Sequence, residues 1–189
     1  MSKQMVWLSG LLPYQHAAQV FERFGYSVVP PASIWRQTQH YGEKLRAHEE
    51  RQQDYVSPER VKLPPPGLDH QNQKGVRLEG GMVNIRGEGW KEMKVGTSSD
   101  IEQRLERGRR TGDLVERPHA SQTGYGAVLG SAKQFGPALW ALAVRRGVPQ
   151  AADSSVTADG AVWIWNLAAD YFPDSIQIVD WYHACQHLS

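Results

Sequence analysis

Apolar residues recur at helical spacing over residues 14–24, where Ala17, Val20, Phe21 and Phe24 form one stripe and Gly25 supplies a stop. Ser33 can cap a second helix over 33–50, with Ile34, Tyr41 and Leu45 as its apolar positions. Two helices joined by a short Gly-containing link predict one of two things. One is a helix-turn-helix that presents Arg36, Gln37 and Gln39 to a DNA groove; the other is an ordinary helical hairpin with a solvated face. Pro64, Pro65 and Pro66 then interrupt any helix and favour an extended linker. The pattern therefore predicts a helical region over 1–56, a proline-rich linker over 57–70 and a second region over 71–189.

The second region changes period. Residues 76–85 alternate as a strand, with Gly80 and Gly81 marking a bulge or a close backbone approach. Residues 86–89 predict a hairpin turn and 90–95 the returning strand. The run over 100–117 is charged and poor in apolar residues, so an exposed helix or loop is expected there. Its Arg104, Arg107, Arg109 and Arg110 either touch phosphate or form a solvated face. A buried helix over 137–146 follows, with Pro137 in its first turn and Arg145 and Arg146 at its end. A strand over 155–158, a helix over 161–171, a strand over 176–179 and a helix beginning near Trp181 complete the pattern. This alternation predicts an α/β fold with a mixed sheet flanked by helices.

Composition narrows the functional classes. With 40% hydrophobic residues the chain can build a core, and its formal net charge of +1 leaves nucleic-acid binding to local clusters. A lone cysteine, Cys185, excludes an internal disulfide framework and fits a reducing, cytoplasmic setting. No apolar run approaches the roughly 20 residues that span a bilayer, so no membrane partner is expected. No Walker phosphate loop, Gly-x-Ser-x-Gly elbow or Cys-x-x-Cys pair occurs. The chain stops at Ser189, partway into an expected helix, so further sequence is expected beyond it.

Three acids stand where predicted strands end or carry glycines: Glu79, Asp159 and Asp180. Asp159 follows a strand and leads through Gly160 into a helix, the position where α/β folds gather ligands and also an ordinary helix cap. Glu79 stands next to two glycines that leave room for a substrate backbone, or is an edge-strand glutamate facing water. His183 and His187 share a helix face at i and i+4, as a zinc pair would, but a third ligand at suitable spacing is missing. Packing or contact with a phosphate is the competing role.

Several blocks in order carry a resemblance: Gly80-Gly81-Met82 through Trp90-Lys91-Glu92-Met93-Lys94 to Gly96, then Thr157-Ala158-Asp159-Gly160 to Asn166. Phe172 to Asp180-Trp181-Tyr182-His183 follows, and upstream come residues 31–39 and 56–61. Together they resemble bacterial insertion-sequence DDE transposases of the ISKra group over nearly the whole chain. The resemblance implies an incomplete ribonuclease-H-like catalytic domain, with Glu79 and Asp159 as the first two metal-binding, catalytic acids. The third, a glutamate on a late helix, would lie beyond Ser189. It implies DNA transposition with two Mg2+ ions (or Mn2+) as cofactors, and insertion-sequence ends and target DNA as partners. It further implies a nucleoid-associated location and a homo-oligomer for the intact enzyme. Arg86, Lys91, Lys94 and His183 join Arg36, Gln37 and Gln39 as expected DNA contacts. The family has aspartate where this chain has Glu79, so weak or absent catalysis is expected. A non-catalytic DNA-binding remnant and a general nuclease of the same fold stay open.

Overall fold

The computed structural model describes residues 1–25, 27–57, 72–108 and 112–186. Apart from Ser57, the expected linker lies outside the described residues. The chain divides into two compact units, Met1–Arg51 and Gln52–Ser189.

The first unit is helical: α1 (Ser2–Ser9), α2 (Tyr14–Gly25) and the start of α3 (Pro31–Tyr55). Pro31 opens α3, where its missing N–H is no loss, so Ser33 lies inside the first turn and not at the cap. The Ser33 hydroxyl instead accepts from Arg36 Nη2 at 3.1 Å. Met5, Ala17, Val29 and Ile34 form the buried centre, with Leu8, Leu12 and Phe21 packed around them.

The second unit holds β1 (Gln73–Ile85), β2 (Gly89–Arg107), β3 (Leu114–Leu129), α4 (Ala132–Arg145), β4 (Asp153–Ala158), α5 (Val162–Tyr171), β5 (Ile176–Val179) and α6 (Trp181–Gln186). The five strands form one mixed sheet in the order β3-β2-β1-β4-β5. The first three run antiparallel as a meander, and β4 and β5 lie parallel to β1. Gly87 and Gly89, at φ 84 and 77, supply the left-handed conformations of the expected β1–β2 turn.

Two expectations fail here. The run over 100–117 is neither helix nor loop: its described residues continue β2 to Arg107 and begin β3 at Leu114. Backbone pairing and cross-strand charge hold this ribbon without an apolar stripe, as in Arg117–Glu106 and Ser121–Glu102. The Ser121 hydroxyl and the Arg104 guanidinium hold the Glu102 carboxyl below its ordinary range. Helix α4 begins before Pro137 because Ser131 and Gln134 form a capping box, with Gln134 Oε1 accepting from the Ser131 N–H at 2.9 Å.

Successive side chains of a strand point to opposite faces, and here the two faces differ. Val76, Leu78, Val156 and Ala158 point to the first, where they meet Phe135, Leu139 and Ala143 of α4 and Ile164, Leu167 and Ala168 of α5 in one core. Close packing needs room at the sheet. A Cβ on Gly96 would stand 2.6 Å from Leu139 Cδ1 and 2.9 Å from Phe135 Cζ, and one on Gly124 would stand 3.0 Å from Leu142 Cδ1. The second face carries Arg77, Glu79, Thr97, Ser99, Ser155 and Thr157 and is largely polar. No helix of the described residues is long and apolar enough to cross a membrane.

Candidate functional site

The register places the three singled-out acids at one level. Leu78 pairs with Ala158, and Ala158 with Val179, as the last rungs of the parallel ladders. Glu79, Asp159 and Asp180 are the next residues in each chain segment, so they stand side by side, Glu79 midway along β1 and Asp159 and Asp180 just past the carboxyl ends of β4 and β5. Neighbouring strands are about 4.8 Å apart, and carboxyl ends are where α/β sheets gather ligands. All three acids line one narrow crevice with Arg77, Leu78, Ala158 and His183.

Local structure fixes each carboxylate differently. Glu79 is exposed on β1. Asp159 Oδ1 accepts the Ala161 N–H at 2.9 Å in the turn that leads into α5, which orients the side chain while Gly160, at φ 94, reverses the backbone. The Asp180 N–H donates to the Ala158 carbonyl at 2.7 Å, and Asp180 Oδ1 accepts from the Tyr182 N–H at 2.9 Å. Its other oxygen accepts from Arg77 Nη2 at 2.7 Å. The Asp180 side chain keeps 10% exposure and Arg77 54%, so the arginine closes the acid from the solvent side. Arg77 went unpredicted; its signal was its place two residues before Glu79, on the same strand face.

His183, in the first turn of α6, lines the same crevice, and its Nδ1 is buried with no hydrogen-bond partner among the described residues. Its expected partner His187 lies outside the described residues, as do Arg109 and Arg110.

The remaining expected contacts fall in three places. Arg86 and Lys91 are exposed on the β1–β2 hairpin, which runs on past the acids at the same edge of the sheet. Lys91 lies 3.8 Å from Glu88. Lys94 corrects the expectation of a DNA contact: it keeps only 2% exposure, because the period-2 pleat turns it onto the helix-covered face. Arg36 and Gln39 are exposed and Gln37 half-buried on α3, in the first unit. Arg104 is paired with Glu102 at 2.9 Å, which lowers its availability to phosphate.

The donor chemistry at the crevice suits a hard divalent cation, since carboxylate oxygens are the ligands magnesium prefers. The arrangement does not present a finished shell. Among the described residues no three His, Cys, Asp or Glu side chains are grouped to hold a metal ion, and Asp180 is turned to Arg77. Of the three acids, Glu79 and Asp159 have no ion-pair partner among the described residues. No family model, curated protein or solved structure matches the chain.

Proposed function

We propose that the second unit is a ribonuclease-H-like domain of an insertion-sequence DDE transposase related to the ISKra group, acting on DNA by metal-dependent phosphoryl transfer. The observation that carries this reading is the shared level of Glu79, midway along β1, and Asp159, at the carboxyl end of the adjacent parallel strand β4, each one residue past the Leu78–Ala158 rung. The antiparallel meander followed by two parallel strands, with helices in the crossovers, is compatible with that fold. Glu79 and Asp159 would hold Mg2+ or Mn2+. When bound, such ions activate an attacking oxygen and stabilise the leaving oxygen of a phosphodiester. The chain's own contribution is to orient Asp159 through the Ala161 N–H and to present Arg86 and Lys91 on the hairpin that extends beyond the crevice, where they would meet DNA phosphates. Insertion-sequence ends and target DNA are the proposed partners.

Glu79 reaches one methylene further than the family's aspartate, about 1.5 Å. Magnesium tolerates little departure from octahedral geometry, and a misplacement of about 1 Å can lower a rate on the order of a hundredfold. The test is Mn2+-dependent nicking of DNA carrying an insertion-sequence end. The expected result is weak cleavage by the native chain, a gain on the order of a hundredfold for Glu79→Asp and none for Asp159→Asn. Equal activity in native and Asp159→Asn proteins would exclude Asp159 from the chemistry.

A second reading, a DNA-binding protein without catalysis, is favoured by the Arg77–Asp180 pair and the unfinished ligand shell. Salt-dependent DNA retention with no cleavage, even by Glu79→Asp, would select it.

A further inference from the structure

Behind the crevice, on the helix-covered side of the sheet, lies a buried cation. Lys94 pairs with Gly80 across β1 and β2 and keeps 2% exposure. Its Nζ stands 4.2 Å from the centroid of the Trp163 ring and is ion-paired with Glu92, whose side chain is 49% exposed. The indole is held on two further sides. A Cβ on Gly80 would stand 3.3 Å from Trp163 Cζ2, and Phe135 meets the ring edge-on at 6.3 Å between centroids.

Stability alone is a poor account of this lysine. Burying an ammonium is costly, and an apolar side chain of similar volume often serves as well or better. Trp163 also lies in the first turn of α5, where the helix dipole disfavours a cation. What the stack does is fix two backbone segments against each other. Gly80 directly follows Glu79. Trp163 lies in the turn just after Ala161, whose N–H holds the Asp159 carboxylate.

We propose that Lys94 is a positioning residue: by clamping Trp163 against Gly80 it sets the spacing of the Glu79 and Asp159 carboxylates, and with it the affinity of the site for a divalent cation. This inference rests on the reading of those two acids as cation ligands.

The experiment is Mn2+ titration of the full chain by calorimetry, for the native protein and for Lys94→Met, Lys94→Arg, Trp163→Leu and Glu79→Ala, each with its melting temperature. Lys94→Met is expected to bind Mn2+ roughly ten- to a hundredfold more weakly, the usual range for residues supporting metal ligands. Its melting temperature is expected to stay level or rise, since Glu92 is solvated enough to lose its partner. Lys94→Arg keeps a cation over the indole and is expected to restore most of the affinity. Trp163→Leu, with the lysine intact, is expected to lose as much as Lys94→Met. Native affinity in Lys94→Met, or a loss that follows melting temperature and is not recovered by arginine, overturns the positioning role while leaving the acids as ligands. No Mn2+ binding by the native chain, or binding unchanged in Glu79→Ala, overturns the reading of the acids and this inference with it.

Discussion

The two faces of the sheet solve opposite problems. The first is apolar apart from the buried Lys94 and Ser98 and is lined with glycines, so α4 and α5 approach the strands at van der Waals distance and bury Phe135, Leu139 and Ile164 almost completely. The second carries Arg77, Glu79, Thr97 and Thr157 and leaves Tyr125, Ile176 and Ile178 at 71%, 65% and 44% exposure. One face supplies the stability, and the other is free to carry charge. The acids reach the crevice from strands whose positions the covered face dictates.

This contrast is broken most severely from the covered side. Phe135→Ala removes a side chain with no exposure from the junction of α4, Gly96 and Trp163. It is expected to lower the unfolding free energy by about 3–5 kcal/mol, read by urea denaturation. Gly96→Ala comes next. Its new methyl would collide with Leu139 and Phe135, both buried and unable to swing aside. A loss of about 1–3 kcal/mol is expected in the same measurement. If Gly96→Ala proved neutral, α4 could not sit as close to β2 as described. The smallest effect belongs to the polar face: Thr157→Val is expected to shift stability by no more than about 0.5 kcal/mol. A larger loss there would show that the second face also bears a packed layer.

How far these features can be read from the chain depends on whether their causes are local. The strand over 176–179 is found where expected, because its apolar run is bounded by Pro173-Asp174-Ser175 on one side and Asp180 on the other. The close approach expected at Gly80 is made by Trp163. By contrast, β3 and the far half of β2 were missed. Glu102-Gln103-Arg104-Leu105-Glu106-Arg107 has no apolar alternation, and its extended form comes from pairing with residues 114–119, which no local pattern announces. The start of α4 is legible in principle, since Ser131-Ala132-Lys133-Gln134 spells a capping box, but Pro137 is the more conspicuous first-turn residue.

The acids divide in the same way. Each could be singled out by its place after a strand or beside a glycine. Their common level, and the capture of Asp180 by Arg77, follow from a register that spans 103 positions of sequence. Lys94 misled for a related reason: a lysine between charged neighbours looks solvated until the pairing partner reveals which way the pleat turns it.

The glycine column under α4 has a consequence for how this unit orders itself. Glycine gives up more backbone freedom on folding than any other residue, and Gly96, Gly124 and Gly126 face one helix from two neighbouring strands. Without α4 these rungs contribute no side-chain contact to offset that entropy. Strand pairing and helix docking are thereby bound into a single cooperative event, with neither a stable precursor of the other.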